Sequence, residues 1–328
     1  MKKVLPKNDE VYKNAIKNST EISDATKSVY MYSIQRMQRA TNMTIHEILL
    51  HADEVYAVLK KEITHEPTLK TTVASVLAIL KHGNYKANNK KIFGQWYKVY
   101  VPLMKTANAM RENNIPSDRQ KNASIPWESV LRQYQSLCKK EFGSDNHLLL
   151  AFYVLLKPRR QGDYYRIRVL RKSPEGKESV GDDSAFVVLG SSEKPYISVL
   201  QYKTAKTLKP WTRPLPDELI NILKRSLSAR KRKYVFAQSD GEAFKTRNSF
   251  TQFSNRVLKH TLGENITVNS LRHAYASYRN KLALTLKQRQ MDAMDMGHSL
   301  ETHLSYAVDG VNNKTITLKR FKNSSKKS

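Results

Sequence analysis

The sequence predicts a mainly α-helical protein with a small antiparallel β-sheet, an α+β fold in two domains. Three observations carry this prediction. Apolar residues recur every three or four positions through most of the chain, which is the period of one buried helical face. Between Tyr165 and Lys203 the period changes to two, as in strands with one buried face. Residues 113–124 are poor in apolar residues and rich in turn formers, which divides the chain into two parts.

The first part is predicted to be all helical. Residues 1–20 are polar, and we expect a flexible N-terminus. Ser23 can cap a helix in which Tyr30 and Ile34 follow at helical spacing. Further stretches repeat this spacing, so that a helical domain is expected over residues 21–112.

The second part follows the predicted linker at 113–124 and covers residues 125–310. It opens with two helical stretches, passes through the strand region and turns helical again. Residues 311–328 are basic and low in apolar content, so we expect a C-terminal tail outside the folded domain.

The charge of the chain indicates a polyanionic partner. Lys and Arg total 57 against 29 acidic residues, a formal net charge of +28 over 328 residues. Such a field attracts nucleic acid, although a ribosomal or packaging protein would share this composition. The single cysteine, Cys138, allows neither an internal disulfide nor a thiolate metal cluster, so we expect an intracellular protein. The longest apolar run, residues 148–156, is too short to span a bilayer, and no membrane anchor is expected.

Two basic motifs precede the last helices. In LKPRRQGDY, Arg160 follows a predicted buried helix at a break marked by proline, and Asp163 could hold its guanidinium. A surface turn with a local ion pair would give the same pattern. In QYKTAK, Lys203 lies where a strand meets a turn, from which it could donate a proton or simply face solvent. Lys206 is an alternative to Lys203.

Two further motifs lie near the C-terminus. In NSLRHAYAS, Asn269 and Arg272 share one helical face in the first turn, close to the positive end of the helix dipole, which suits a phosphate. His273 points elsewhere, and a structural hydrogen-bonding role is expected for it. In MGHSLETHLSY, a glycine that ends a helix is followed by His298 and, eight positions on, by Tyr306. A structural role is the commoner one for any single histidine or tyrosine.

The four motifs together supply what phosphoryl transfer by a protein nucleophile requires. That chemistry needs an activated attacking oxygen, cations around the non-bridging oxygens and a proton donor for the leaving oxygen. A tyrosine, two arginines and a lysine are available for these roles.

In this order, the motifs resemble those of the tyrosine recombinase and integrase family. That family has an arginine motif, a lysine hairpin, a His-x-x-Arg motif and a Gly-His pair followed by a tyrosine. The resemblance covers most of residues 125–310, and SDATKSVYMYSIQRM is similar to the first helix of the family's DNA-clamping N-terminal domain. The acidic residue that the family places three positions after its first arginine selects Arg160 over Arg159.

The chain departs from the family pattern at two points. Asn269 stands where the family usually has histidine, so this position can donate a hydrogen bond but cannot act as an imidazolium. The gap from His298 to Tyr306 is one residue shorter than is usual in the family.

The resemblance implies a mechanism without ATP, cofactor or obligatory metal. Tyr306 would attack a DNA phosphate and form a 3′-phosphotyrosine, and Lys203 would protonate the departing 5′-oxygen. Asp163 would support the first arginine. The residues that would stabilise charge on the phosphoryl oxygens are Arg160, Asn269, Arg272 and His298.

The implied function is site-specific recombination or integration, carried out for a virus or another mobile element. The implied partner is double-stranded DNA, bound by a homo-oligomer that is a tetramer on paired sites, in the cytoplasm or a host nucleus. A type IB DNA topoisomerase would use the same chemistry as a monomer. A DNA-binding protein with a decayed active site is a third interpretation, which only Asn269 supports. The helical N-terminal domain and the basic tail favour the recombinase.

Overall fold

The protein is described by a computed structural model. The described residues are 5–113, 115–174, 183, 185–190, 194–203, 205 and 210–306. The chain divides into two compact units, Met1–Ile115 and Pro116–Ser328. The predicted C-terminal tail at 311–328 and the alternative lysine, Lys206, lie outside the described residues.

The first unit is all helical over its described residues, as predicted. Ser23 caps the second helix, where its Oγ accepts a hydrogen bond from the Thr26 amide at 3.3 Å. Ile34 is fully buried and Tyr30 packs beside it at the edge of the same core. The helices are α1 (Asp9–Lys17), α2 (Asp24–Thr41), α3 (Ile45–Leu50), α4 (Ala52–Glu62), α5 (Glu66–His82) and α6 (Lys90–Glu112).

The N-terminus differs from the expectation of a flexible segment over residues 1–20. Helix α1 forms within it, capped by the side chain of Asn8. Tyr12 and Ile16, one helical turn apart, are fully buried, and the Tyr12 hydroxyl donates to the Pro6 carbonyl at 2.6 Å. Two large apolar side chains on one face are enough to hold an otherwise polar helix on the core, which the average polarity of the segment concealed.

The second unit contains the sheet and the remaining helices. Residues 161–163 form a short 3₁₀ turn. The strands are β1 (Ile167–Leu170), β2 (Ala185–Val188), β3 (Tyr196–Val199) and β4 (Trp211–Pro214). The helices are α7 (Asp118–Asn122), α8 (Trp127–Lys140), α9 (Asp145–Leu155), α10 (Asp217–Ala229), α11 (Arg247–Leu262), α12 (Val268–Lys281), α13 (Leu286–Asp295) and α14 (Leu300–Ser305).

The segment predicted as a linker is partly helical. Residues 118–122 form α7, and a capping box explains why. The Ser117 amide donates to the side-chain oxygen of Gln120 at 2.8 Å, while the Gln120 amide donates to the Ser117 hydroxyl at 3.3 Å. Asn114 lies outside the described residues.

The sheet is mixed rather than purely antiparallel. Its order is β1-β2-β3-β4, in which β1 pairs with β2 in parallel and the other two pairs are antiparallel. A parallel pair requires the chain to travel back between the strands, and the segment between Leu170 and Ala185 is long enough for this. Alternation of apolar residues indicates a strand but not its direction, so the prediction was wrong in this respect.

Helix α9 lies at the centre of the second unit. All its residues from His147 to Tyr153 are buried, and it packs against α8, α10 and α11. Its end therefore fixes the start of the arginine motif, because the chain passes from this buried helix directly into Lys157 and Pro158. None of the described helices combines the length and the apolar character needed to cross a membrane.

Candidate active site

The candidate site residues gather around the C-terminus of α13. Gly297 has a φ of +69°, and its amide donates to the Met294 carbonyl at 2.9 Å. The His298 amide donates to the Ala293 carbonyl at 3.1 Å. This is a Schellman motif, in which the residue after the cap takes a left-handed conformation. The Gly-His pair of the sequence is thus the helix end itself, and it fixes the main chain of His298.

Three arginines donate to three consecutive carbonyls at this helix end. Arg159 Nη1 donates to the Asp295 carbonyl at 2.8 Å, and Arg272 Nη1 donates to the Met296 carbonyl at 2.9 Å. Arg160 Nη1 donates to the Gly297 carbonyl. Carbonyls in the last turn of a helix lack partners within the helix and carry the negative end of its dipole. The helix end therefore attracts the guanidiniums and fixes their positions.

Gly297 leaves room for two of these guanidiniums. A Cβ atom at this position would lie 2.9 Å from Arg159 Nη2 and 3.5 Å from Arg160 Nη1. The first distance is too short for a carbon and a nitrogen that are not bonded. Both the positive φ and the close approach of Arg159 thus require glycine.

A left-handed turn after α9 brings Arg159 and Arg160 to the helix end. Lys157, just before Pro158, has a φ of +67°, which is uncommon for a residue with a side chain. Its ammonium contacts Asp292 at 2.9 Å and Asp295 at 2.8 Å. These ion pairs to α13 offset the cost of the backbone conformation.

Asp163 pairs with Arg159 instead of Arg160, which corrects the sequence prediction. Its Oδ2 accepts from Arg159 Nε at 3.1 Å, and both side chains are buried. Burial raises the pKa of Asp163, although the positive charges of Arg159 and Arg160 oppose that shift. Arg160 is only half-buried and is held by the Gly297 carbonyl. Asp163 consequently supports the first arginine motif through the neighbouring arginine.

Arg272 is fully buried on α12, which begins with a capping box between Thr267 and Ser270. Besides the Met296 carbonyl, its Nη1 donates to the Pro158 carbonyl at 2.7 Å. Its Nη2 donates to His298 Nδ1 at 3.0 Å. Among the described residues no acceptor meets its Nε. Arg272 thus ties α12 to α13 and to the loop after α9.

The hydrogen bonds of His298 fix its protonation. Arginine can only donate, so His298 Nδ1 must accept and the ring proton is on Nε2. Nε2 lies 3.2 Å from His303 Nδ1 and donates to it, which places the His303 proton on its Nε2. Burial and the charge of Arg272 lower the pKa of His298 to about 2, and burial lowers the pKa of His303 to about 4. Both imidazoles are therefore neutral.

Tyr306 lies at the end of α14, beside these groups. Its ring centroid is 5.1 Å from that of His298 and 5.2 Å from the Arg272 guanidinium carbon. On another side it stacks on the His273 ring at 4.4 Å, and His273 Nδ1 donates to the Tyr306 carbonyl at 2.9 Å. The six residues of α14 thus bring the tyrosine ring to His298 despite the short gap between them. The expected hydrogen-bonding role of His273 is also present.

Asn269 and Lys203 are placed differently from the other candidates. Asn269 is exposed in the first turn of α12 and lines a cavity of about 430 Å³ together with Gln120 and His273. Lys203 is exposed in the turn after β3. In the part of the chain that the structure describes, its side chain forms no hydrogen bond or ion pair. The structure thus gathers Arg160, Arg272, His298 and Tyr306 around the end of α13, while the side chains of Asn269 and Lys203 are exposed.

Sequence reasoning missed three groups at the site: Arg159, His303, and the pair Asp292 and Asp295. Arg159 was set aside because of the spacing to Asp163. His303 lies five residues after His298, which places it on α14 beside the histidine, but a lone histidine gives no signal of burial. The two aspartates are three residues apart on α13, a spacing that puts them on one helical face. That spacing could have indicated that the two aspartates pair with the same cation, as they do with Lys157.

Comparison with known proteins identifies the fold. The chain is similar to a lambda integrase dimer bound to a COC′ core site, with 16% identity over 92% of this chain and 76% of that chain and a TM-score of 0.56. It is also similar to a Tn1549 transposon integrase in complex with transposon right-end DNA, with 12% identity over 97% of this chain and 98% of that chain and a TM-score of 0.56. No family model and no curated protein matches the sequence.

These comparisons confirm the predicted fold class and the resemblance at the level of the fold. The helical unit followed by a helical unit with one small sheet is the fold that the chain shares with these two integrases. At these identities the likeness concerns the fold alone.

The neutral histidines predict how stability depends on pH. The unfolded chain binds protons at histidine near pH 6.5, while the folded values for His298 and His303 are lower, so the unfolded state takes up more protons as the pH falls below about 6.5. This contribution to stability is complete above that pH and is lost progressively toward about pH 4 for His303. His303→Gln should reduce the loss between pH 7.5 and 5.5 by about 1 kcal/mol, measured by urea unfolding. Equal pH dependence in the variant and the wild type would contradict the assignment.

Gly297→Ala should destabilise the second unit by about 1 to 3 kcal/mol, because it combines a strained φ with contact to Arg159. Thermal unfolding measures the effect. Gly162→Ala, in the arginine motif of the same unit, is the control, since a Cβ there would meet Arg247 at 3.7 Å, an ordinary contact. Similar loss of stability in both variants would mean that the helix end is not the constrained point.

Proposed function

We propose that this protein is a site-specific DNA recombinase or integrase that cuts and rejoins DNA through a 3′-phosphotyrosine. The observation that carries the proposal is the position of the Tyr306 ring. Its centroid lies 5.2 Å from the Arg272 guanidinium carbon and 5.1 Å from the centroid of the His298 ring. A tyrosine beside a buried cation is suited to attack a phosphate, because the cation stabilises the charge that develops on the phosphoryl oxygens.

The partners of Arg160 and Arg272 support a phosphate site. Both guanidiniums are held by main-chain carbonyls, and Arg272 also by a neutral imidazole. Within the described residues neither arginine forms an ion pair with a carboxylate, and the nearby Asp163 pairs with Arg159. Hydrogen bonds from such fixed cations to a phosphate are charge-assisted and stronger than neutral ones.

In the proposed reaction the Tyr306 oxygen attacks the phosphorus and the bond to the 5′-oxygen breaks. The phenol proton passes to solvent water as the oxygen–phosphorus bond forms, and the Lys203 ammonium protonates the departing 5′-oxygen. Asn269, in the first turn of α12, donates an amide hydrogen bond to a phosphoryl oxygen. The bond energy is kept in the phosphotyrosine, so that attack by another 5′-hydroxyl rejoins the strands without ATP.

The substrate of this proposal is double-stranded DNA. The net charge of +28 supports it, and both similar integrases are solved with DNA. The helical first unit supports recombination over the topoisomerase alternative. We propose a homo-oligomer, a tetramer on paired sites, that acts inside the cell wherever the target DNA lies.

Tyr306→Phe should abolish covalent protein–DNA complexes while it preserves DNA binding, because the variant loses only the attacking oxygen. The measurement uses nicked duplexes that trap the intermediate, with a denaturing gel and mapping of the modified peptide. Tyr234→Phe, at a half-buried tyrosine of the same unit, is the control and should form complexes as the wild type does.

Adducts in Tyr306→Phe at the wild-type level would refute the assignment of the nucleophile. Dependence of the wild-type adduct on the DNA sequence separates the proposed recombinase from a topoisomerase, which would also relax supercoiled DNA without a second site. Tight binding with no adduct on any substrate would favour a DNA-binding protein with a decayed site.

A further inference from the structure

The exposed position of Lys203 raises the question of what holds it for proton transfer. Its turn is closed by a hydrogen bond from the Ala205 amide to the Tyr202 carbonyl at 2.9 Å. The Lys203 side chain is exposed, whereas the preceding residue, Tyr202, is half-buried. The orientation of the lysine therefore depends on how firmly its neighbours are held.

Tyr202 lies against the buried guanidinium of Arg159. The guanidinium carbon is 4.8 Å from the centroid of the Tyr202 ring and 4.5 Å from that of the Trp211 ring. Cation–π contacts of this kind are stronger when the cation is removed from water, and Arg159 is fully buried. Tyr202 follows β3 and Trp211 is the first residue of β4, so that one guanidinium contacts both ends of the connection that carries Lys203.

The guanidinium itself cannot move freely. Arg159 Nε donates to Asp163 at 3.1 Å and its Nη1 donates to the Asp295 carbonyl at 2.8 Å. Trp211 is held on the same helix end, since its Nε1 donates to Asp295 Oδ1 at 3.0 Å. The set of Tyr202, Arg159 and Trp211, called the aromatic–arginine stack below, is thus tied to the carbonyl row beside Arg160 and Arg272.

We propose that Arg159 and Tyr202 are positioning residues that act through Lys203. The aromatic–arginine stack holds the two ends of the β3–β4 connection, so that the lysine stands at a fixed place relative to the phosphate-binding arginines. Arg159 is too deeply buried to touch DNA. Its role is to hold the turn that contains Lys203 at a fixed position relative to the end of α13. This inference rests on the proposed function, because it names the residues that hold the proton donor of that reaction in place.

The proposed step has a chemical signature. When the bond from phosphorus to the 5′-oxygen breaks, the electron pair goes to that oxygen and a proton passes to it from the Lys203 ammonium, which becomes a neutral amine. With sulfur in place of the bridging 5′-oxygen, the leaving group is a thiolate. A thiol has a pKa of about 8.5, far below that of an alcohol, so this leaving group does not need the proton. Defects that arise from the proton donor should therefore disappear on the sulfur substrate.

The experiment compares single-turnover cleavage of two DNA duplexes that differ only in the bridging 5′-oxygen or sulfur. On the oxygen substrate, Lys203→Ala should slow cleavage about 100-fold or more, and Tyr202→Leu about tenfold or more, because a displaced donor loses most of its effect. On the sulfur substrate, both variants should return to nearly the wild-type rate. Arg272→Lys should remain slow on both, since it acts on the phosphoryl oxygens.

Two further variants separate positioning from general loosening of the sheet. Tyr196→Leu is the matched control. This half-buried tyrosine begins β3, and its ring packs against Phe186, with 6.0 Å between the ring centroids. It should cleave both substrates at the wild-type rate. Arg159→Lys keeps the charge opposite Asp163 but loses the planar group, and it should show the same sulfur rescue as Tyr202→Leu.

The outcomes are distinct. If the wild-type protein cleaved neither substrate, the proposed function would be refuted, and this inference with it. If the wild type cleaved DNA but Lys203→Ala remained slow on the sulfur substrate, Lys203 would not be the proton donor. That result would refute the inference alone. Tyr202→Leu at the wild-type rate, or equally slow on both substrates, would refute the positioning role, as would a Tyr196→Leu defect of the same size and sulfur dependence.

Discussion

The structure of the site depends on the row of carbonyls at the end of α13. Gly297 ends the helix in a Schellman motif, and the carbonyls of residues 295–297 then face three guanidiniums. Each arginine comes from a segment distant in sequence, so that this helix end joins the loop after α9, helix α12 and the start of α14. A carbonyl orients a guanidinium through a directional hydrogen bond. Because the carbonyl has no net charge, the positive charge of the guanidinium remains. The helix end can therefore hold cations close together where a carboxylate would neutralise them.

The buried carboxylates of the second unit neutralise a different set of cations. Asp163 pairs with Arg159, while Asp295 accepts from Lys157 and from Arg213. Such pairs offset the cost of burying each charge, and removal of one partner would leave the other uncompensated. These cations become structural: they set the turn after α9 and hold β4 against α13. The fold thus separates cations that have carboxylate partners from Arg160 and Arg272, which have carbonyl partners.

The sequence predicted what is local and missed what depends on distant contacts. Helical spacing and a glycine predicted the end of α13, because a helix end is decided within a few residues. The spacing to Asp163 selected Arg160 over Arg159, but Asp163 pairs with Arg159, so the predicted partner of Asp163 was wrong. Two adjacent arginines look alike in sequence, and which one is buried depends on a carbonyl 136 residues away. The direction of β1 against β2 was missed for the same reason, since alternation describes one strand at a time.

The charge of the site follows from this division of partners. His298 and His303 are neutral because of their lowered pKa values, and Asn269 is neutral by its chemistry, so none of the three adds charge to the site. Arg160 and Arg272 provide two fixed positive charges. A DNA phosphate carries one negative charge, and its oxygens gain more as a nucleophile attacks. Two rigid cations fit that need throughout the proposed reaction, whereas a proton donor is needed only when the leaving oxygen departs. A rigid helix end for the arginines and a surface turn for Lys203 suit these two different tasks.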